Sequence, residues 1–444
     1  MWIAASGLPH GEIARRVAGK ATAQGHKQIA PDATRVRRWV DGERPRPPVP
    51  ALLAEVLSEK VGQPLTPGDL GLTGTEVVLD SIQLPLLTEA AAQTLAGWTQ
   101  MDLFANRRDA LKLALGAPLI LAAERMLGGA ARALSRRVKG FDTDTVKALE
   151  EVTRFFTSAD ASKGGGLYRS AIVAQLAEVA RRIQDGVPPS LKSQVFTATA
   201  DLAALAGWVS HDCGRYPQAQ RYWSYGVYAA AEAGNPDRGV EIVTRMSHQM
   251  IYLGHPKDAL GLLDVAARKA TMPATRALVA SPTGRVHAAL GDARHADQCL
   301  AQADVLLATG LNNLPEWVAY FDAAEHAGAR AVSARDVSRL DGEQRRASIH
   351  FENALRLRKP GFDRVRVMDQ IGLAAALFEE GEPEKAVAAA HQGFDEAVRV
   401  DSTLVVSRLN TLLDAARRYD STAVEEIRSR AQDLTTARPS TVAA

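Results

Sequence analysis

A short pattern, G-x-x-x-x-A, recurs five times in the second half of this 444-residue chain and limits its fold more than any other feature. The copies occupy 214–219, 254–259, 291–296, 342–347 and 381–386, so they begin 40, 37, 51 and 39 residues apart. Glycine ends a helix readily, and alanine lets the next helix approach closely. Repetition at this period is typical of stacked pairs of helices.

Residues at fixed distances from each glycine support this interpretation. Seven positions before the glycine, four of the five residues are small: Gly207, Ser247, Gly284 and Ala374, with Arg335 as the exception. Nine positions after it, four of the five are large and apolar: Trp223, Leu263, Leu300 and Phe351, with Ala390 as the exception. Small residues opposite large ones favour close helix crossings. The copy with Arg335, and the longer spacing around it, indicate an insertion near Asn312 to Pro315.

These offsets resemble the tetratricopeptide repeat, a helical pair that stacks into an α-solenoid. We therefore expect a repeat array over 141–435, a partly helical connector over 73–140 and a flexible tail over 436–444. In such arrays the first helix of each pair lines a concave face. Carried over by position, the resemblance places six effector-groove residues on that face: Trp208, His211, Glu241, Thr244, His248 and Arg285.

The resemblance implies that this groove holds a peptide, a small molecule or a protein. The alternative is that the array only forms a dimer and that another part of the chain fills the groove. None of the predicted concave positions is an asparagine.

Positive charge is concentrated near the N-terminus. Residues 1–50 contain nine Lys and Arg against four Asp and Glu, an excess larger than the formal net charge of +2 for the whole chain. The remainder is therefore slightly acidic. A local basic excess of this kind favours an acidic partner for the N-terminal segment.

The segment "ATRVRRWV", 33–40, carries much of that charge and is predicted to be a helix. Asp32 is the expected N-cap and Asp41-Gly42 the expected stop. At 100° per residue, one side of the helix carries the apolar residues Ala33, Val36, Trp39 and Val40, and the remaining positions carry Thr34, Arg35, Arg37 and Arg38. A DNA major-groove helix needs such a face, because arginine reaches guanine with two hydrogen bonds. A charged helix that is only solvated is the alternative.

The order of elements over residues 1–72 resembles a helix-turn-helix of the lambda-repressor (XRE-like) type. An amphipathic helix over 11–25 precedes the arginine helix, and a proline segment and an apolar helix follow it. The family signature that ends the recognition helix corresponds here to 37–45. It adds Arg44 to the predicted DNA contacts Thr34, Arg35, Arg37 and Arg38. Only six residues precede the turn at Gly7, so we expect a truncated first helix and a native start upstream of Met1.

The two modules together resemble helix-turn-helix plus tetratricopeptide regulators of Streptomyces and related actinobacteria, some of which repress antibiotic production and sporulation. Peptide-responsive quorum-sensing regulators of Gram-positive bacteria have a related architecture, although they usually grip peptide with asparagines. The resemblance implies an all-α, cytoplasmic, homodimeric regulator that binds double-stranded DNA and controls secondary metabolism or development. The alternative is an adaptor that acts through protein contacts without sequence-specific DNA binding.

Other classes of protein have little support in the sequence. The two cysteines, Cys213 and Cys299, are far apart and show no disulfide or zinc-site spacing. The longest apolar run, 113–123, is shorter than the roughly 20 residues that span a bilayer. No HExxH, GxSxG, phosphate-loop or dinucleotide motif occurs. We therefore expect neither catalysis, cofactor nor metal, and no membrane association.

Overall fold

The computed structural model describes residues 3, 6–24, 26, 28–40, 43, 45, 48–61, 65, 70, 84, 88–105, 140–309, 314–342 and 344–436. Across these residues the regular elements are helices and no strand occurs, which confirms the all-α prediction. No helix in the described ranges has the length and apolar character to cross a membrane. The chain divides into two compact units, one of residues 1–109, 116–140 and 177–187, the other of 110–115, 141–176 and 188–444.

The first unit contains α1 (His10–Ala23), α2 (Ala33–Val40), α3 (Val49–Val61) and α4 (Thr88–Ala105). The first three helices share one apolar core, to which each contributes buried side chains: Ile13, Val17, Val36, Trp39, Leu52, Leu53, Val56 and Leu57. The short, arginine-rich helix α2 thus has its apolar side, Val36 and Trp39, in this shared core. The predicted truncation of the first helix falls on residues 1–6, of which only Ile3 and Ser6 are described.

The ends of α2 differ in part from the prediction. Asp32 caps the helix as expected, because its Oδ1 accepts a hydrogen bond from the backbone N–H of Arg35 at 2.7 Å. Ala33 and Val40 are exposed rather than packed, since they lie at the two ends of an eight-residue helix, where they pass the edge of the core. The expected stop at Asp41-Gly42 lies outside the described residues.

The second unit begins with α5 (Thr143–Lys163). The helix α6 (Arg169–Gln184) follows in the chain, and the division assigns its residues up to 176 to the second unit and those from 177 onward to the first. Six helical pairs come next: α7 (Lys192–Asp212) with α8 (Tyr216–Glu232), α9 (Pro236–Tyr252) with α10 (Pro256–Lys269), α11 (Pro273–Ala289) with α12 (Ala293–Ala308), α13 (Ala323–Asp341) with α14 (Ala347–Leu357), α15 (Asp363–Glu379) with α16 (Pro383–Ala397), and α17 (Thr403–Ala416) with α18 (Thr422–Thr436). Single 3-10 turns occur at Pro189–Leu191 and Glu316–Val318. This solenoid-like stacking is called the repeat array below.

The repeated glycines lie where the sequence pattern places them, at the turn of each of the first five pairs. All five have φ between 72° and 84°, in the left-handed region that residues with a side chain rarely adopt. The five alanines that follow them are buried at the start of the second helix: Ala219, Ala259, Ala296, Ala347 and Ala386. The prediction of paired helices is confirmed.

The expected pairing of small with large residues is confirmed in two pairs. A Cβ on Gly207 would lie 2.4 Å from the indole of Trp223, and one on Gly284 would lie 2.7 Å from Leu300. The fourth copy departs from the pattern, because Phe351 packs against Gly372 of the next pair, where a Cβ would lie 2.6 Å from its ring.

The first helices of the pairs and α5 form a closed ring of helix-to-helix contacts. Each of α7, α9, α11, α13 and α15 contacts the next, and α5 contacts both α7 and α15. We call α5, α7, α9, α11, α13 and α15 the inner helices. A backbone hydrogen bond also joins the end of α5 to the residues just before α17: the N–H of Asp401 donates to the carbonyl of Lys163 at 2.8 Å. Side chains from helices that are distant in the chain therefore meet in one interior.

The close crossing at Gly207 yields a stability prediction. Gly207→Ala should lower the free energy of unfolding by about 1–3 kcal/mol, because the buried indole of Trp223 has no room to move away from the new methyl group. Gly261→Ala on α10, where no atom lies within 4 Å of the added Cβ, should instead raise it by about 0.5–1 kcal/mol. Urea unfolding measures both changes, and equal effects would contradict the crossing.

Candidate functional sites

The exposed face of α2 carries the residues predicted to contact DNA. Thr34, Arg35, Arg37 and Arg38 are all exposed, and Val36 and Trp39 fix the opposite side in the core. Arg35 faces Glu43 at 3.5 Å between Nη2 and Oε1. Arg44 lies outside the described residues. The structure thus brings four of the five predicted residues onto one helix surface, and their role in DNA binding stays a prediction.

The cations on the neighbouring helix α1 form ion pairs with acidic side chains. Arg15 and Arg16 both bond to Glu12, and the Nζ of Lys20 lies 2.8 Å from Glu59 and 3.3 Å from Glu55. Arg16 beside it holds the pKa of Glu12 below its ordinary value. Arg38, in contrast, has no ion pair with any residue that the structure describes. Arg38 therefore contributes to the face of α2 a positive charge that no described acid neutralises by direct contact.

In the repeat array, Trp208 lies where three inner helices, α7, α9 and α15, come together. It lies on α7, and the guanidinium carbons of Arg245 on α9 and Arg364 on α15 each lie 5.4 Å from its ring centroid. Two cations on one indole form a double cation–π contact. The predicted groove residue Trp208 is therefore half-buried in an intramolecular contact.

Arg364 joins the two ends of the ring of inner helices. Its Nη1 lies 2.6 Å from Oδ1 of Asp160 on α5 and 3.3 Å from Oδ2 of Asp212 on α7, and all three side chains are buried. Asp212 also accepts hydrogen bonds from the N–H of Gly165 at 3.1 Å and from the hydroxyl of Ser402. Burial raises the pKa of Asp160, and Arg364 opposes that rise. The cluster holds α5, α7 and α15 together.

Glu241, another predicted groove residue, is satisfied within the chain. Its side chain is fully buried and accepts hydrogen bonds from Arg238, from Arg245 and, at 3.0 Å, from the hydroxyl of Tyr320. Tyr320 follows the region where the sequence indicates an insertion; of that region, Asn312 and Asn313 lie outside the described residues and Pro315 within them. Near Glu241, the chain's own residues thus occupy the interior, as in the alternative interpretation of the groove.

His211 lies in an aromatic cage. Its ring centroid is 5.3–5.9 Å from those of four aromatic side chains: Trp208, Tyr216, Trp223 and Tyr252. Its Nδ1 is buried and has no hydrogen-bond partner among the described residues. Burial lowers the pKa of His211 to about 4, so the imidazole is neutral at pH 7.

The remaining predicted groove residues differ in whether their polar groups already have hydrogen-bond partners among the described residues. Thr244 is buried, and its hydroxyl donates to the carbonyl of Val240 at 2.9 Å, so it is satisfied within α9. His248 on α9 and Arg285 on α11 are half-buried and interact electrostatically. Burial, followed by the charge of Arg285, lowers the pKa of His248 to about 3. Neither forms a hydrogen bond or an ion pair with the described residues, and the effector groove stays a prediction.

Four interior residues escaped sequence reasoning: Arg245, Tyr320, Arg364 and Arg408. The concave face was counted from the glycine of each repeat at fixed offsets, which pass over Arg245 and Arg364. The helix α17 has no such glycine pattern and so gave no register for Arg408. An arginine inside the apolar run "TLVVSRLNTLL" was the one available signal.

One cluster has the residue types of a metal site. His287, Asp292 and His295, at the turn between α11 and α12, offer ligand atoms within 4.8 Å of one another. The Nδ1 of His295 lies 2.6 Å from Asp292 Oδ2, and the two imidazoles stack at 5.2 Å. Asp292 also caps α12 through the N–H of His295 at 3.1 Å. Asp292 and His295 are thus hydrogen-bonded to each other without an ion.

Comparison with known proteins concerns the N-terminal helices alone. A family described as the SP15 N-terminal domain matches residues 1–73, which include α1, α2 and α3. No curated protein and no solved structure matches the chain.

The cluster around Arg364 predicts a large loss of stability on truncation. Arg364→Ala leaves two buried carboxylates without their cation and should lower the free energy of unfolding by about 3–5 kcal/mol. The exposed pair of Arg417 and Asp414 is the control, since Arg417→Ala should cost no more than about 1 kcal/mol. Denaturant unfolding of both variants is the measurement. Similar losses would show that the buried cluster does not hold the ring closed.

The cage around His211 predicts a pH dependence. Between pH 6.5 and about 4 the unfolded chain protonates this histidine and the folded chain does not, so stability falls as pH falls, by up to about 1.4 kcal/mol per pH unit. His211→Gln should remove that part of the slope, whereas His255→Gln, at an exposed site, should keep it. Urea unfolding from pH 7 to pH 4.5 tests this, and parallel slopes for the two variants would contradict it.

Proposed function

We propose that the protein is a DNA-binding transcription regulator. The observation that carries the proposal is the surface of α2, where Arg35, Arg37 and Arg38 are exposed beside Thr34 while Val36 and Trp39 anchor the helix. A helix that is fixed on one side and cationic on the other suits the major groove, where guanidinium groups bond guanine and phosphate. The order of α1, α2 and α3 supports a helix-turn-helix of the lambda-repressor type.

The repeat array is proposed to sense an effector and to form the homodimer. Two half-buried residues of its interior support the sensing role: the buried Nε of Arg285 has no hydrogen-bond partner among the described residues, and His248 forms no hydrogen bond with them. A symmetric dimer would read two half-sites about one helical turn apart. A role in actinobacterial secondary metabolism or development, as a cytoplasmic repressor with tetratricopeptide repeats, rests on the resemblance of the two-module order.

Replacing Arg38 tests the DNA-reading face. Arg38→Ala should weaken binding to the specific operator by about tenfold to a hundredfold, because one bidentate base contact is worth about 1–3 kcal/mol. Gel-shift titrations at fixed salt, on an operator found by genomic binding-site mapping, measure the change. The variant should unfold like the wild type, since Arg38 is exposed.

Lys257→Ala is the matched control. It removes one positive charge from an exposed position on α10 in the repeat array, so affinity should stay unchanged. Binding of the wild type should also weaken steeply with salt and prefer the operator over random competitor. Equal affinity of wild type and Arg38→Ala would refute the assignment of α2. Absence of any preferred sequence would favour the adaptor.

A further inference from the structure

The turn between α11 and α12 carries two histidines and an aspartate on a fixed backbone. Gly291 ends the turn of α11 with a φ of 77°, and its N–H donates to the carbonyl of Ala288 at 3.0 Å. The N–H of Asp292 donates to the carbonyl of His287 at 2.9 Å, which completes a Schellman motif. Oδ1 of Asp292 then accepts a hydrogen bond from the N–H of His295 at 3.1 Å. These hydrogen bonds fix the relative positions of the three residues.

The three side chains converge on one carboxylate oxygen. Oδ2 of Asp292 lies 2.6 Å from the Nδ1 of His295 and 3.5 Å from the Nδ1 of His287. Ligand atoms of all three residues lie within 4.8 Å of one another. Two ligand atoms on one tetrahedral zinc ion lie about 3.3 Å apart, since Zn–N and Zn–O bonds are about 2.0–2.2 Å long. Side-chain movements of about 1–1.5 Å therefore bring the three atoms to coordination distances.

Helix capping accounts for only part of this cluster. The cap of α12 uses Oδ1 of Asp292, and the imidazole of His295 bonds Oδ2. The imidazole of His287 takes no part in the cap and forms no hydrogen bond with the residues that the structure describes. It is only 19% exposed and stacks on the ring of His295 with the centroids 5.2 Å apart. A metal site requires a second imidazole beside the same carboxylate, whereas a cap does not.

Other repeats build the same turn without these residues. In three further pairs the corresponding backbone hydrogen bond is made at 2.8–2.9 Å, with Ser210, Met250 and Leu377 in the place of His287. Four positions after the glycine, in the place of His295, the other copies have Gln218, Asp258, Arg346 and Lys385. The turn itself therefore does not account for the histidines of the third copy.

Two imidazoles and one carboxylate select the class of ion. Imidazole suits zinc, copper, iron and nickel, whereas magnesium and calcium prefer oxygen ligands. Three protein ligands leave the fourth position of a tetrahedral zinc ion to water. Asp292 is half-buried and His295 is exposed, so that position can face solvent. The donor set fits a zinc-type ion that enters from the surface.

We propose that His287, Asp292 and His295 bind one divalent transition-metal ion of the zinc type at the turn between α11 and α12. The ion would join the end of an inner helix to the start of the second helix of its pair. The sequence-based expectation of no metal depended on the spacing of the cysteines, and neither cysteine belongs to the pattern H-x-x-x-x-D-x-x-H. The proposal goes beyond the proposed function and does not depend on DNA binding.

Calorimetric titration and thermal unfolding test the site on untagged full-length protein that EDTA has freed of metal. Zn²⁺ should bind saturably with one equivalent per chain. It should also raise the Tm, because an ion that binds only the folded chain stabilises it. Mg²⁺ at the same concentration should leave the Tm unchanged, since it prefers oxygen ligands.

Substitutions locate the ion. Asp292→Asn keeps the cap of α12, because asparagine caps a helix as well as aspartate does, but it removes the charged ligand. His287→Gln leaves the cap untouched. Each should weaken Zn²⁺ binding about tenfold or more, since loss of even an indirect contact to a metal ligand costs that much. In EDTA both should unfold close to the Tm of the wild type.

Two control variants should keep the full affinity for Zn²⁺. His255→Gln removes an exposed histidine from the position directly after the glycine of the preceding copy, where the third copy has Asp292. Cys299→Ser removes a thiol one turn after His295 on α12.

Three results would overturn the site: no saturable equivalent of Zn²⁺ in the wild type, the same affinity in Asp292→Asn and His287→Gln as in His255→Gln, or an equal rise of the Tm with Mg²⁺. A loss of affinity in Cys299→Ser with none in His287→Gln would overturn the proposed ligand set as well.

Discussion

The guanidinium of Arg364 bonds Asp160 and Asp212 where the first inner helix meets the second and the sixth. A buried ion pair adds little net stability, because removing its charges from water costs about as much as their attraction returns. Its effect is on specificity: a register that separates these groups leaves buried charges unpaired, at a cost of several kcal/mol. The cluster therefore selects one closed arrangement of the inner helices, on which the contacts of Arg364 with Asp160, Asp212 and Trp208 depend.

Closure gives the interior two kinds of surroundings. Around Trp208 and Glu241 the cations, carboxylates and aromatic rings contact one another, and the hydroxyl of Tyr320 donates to Glu241. Arg285 and Arg408, in contrast, form no ion pair or hydrogen bond with the residues that the structure describes. The first region acts as a polar core, and the second contains cations without a direct acidic partner among those residues.

The N-terminal helices are predictable for a different reason. In α2 the order of polar and apolar residues alone separates the anchored side, Val36 and Trp39, from the arginines, because a helix turns 100° per residue. The same rule overestimated the apolar side at Ala33 and Val40, since sequence gives the angle of a residue around the helix but not the extent of the neighbouring core.

The repeat pairs were likewise fixed by local chemistry. Glycine adopts the left-handed turn at Gly214 and its four counterparts, and alanine at the next helix start permits close contact, so the sequence by itself determined the helical pairs and their period. Only the tertiary structure decided that the array closes and which arginines find partners. Arg364 meets Asp160 across 204 residues and Asp212 across 152, whereas Arg285 and Arg408 form no ion pair with the residues that the structure describes. Such pairings depend on the sum of the small rotations between successive helices around the ring. No local sequence pattern encodes that sum.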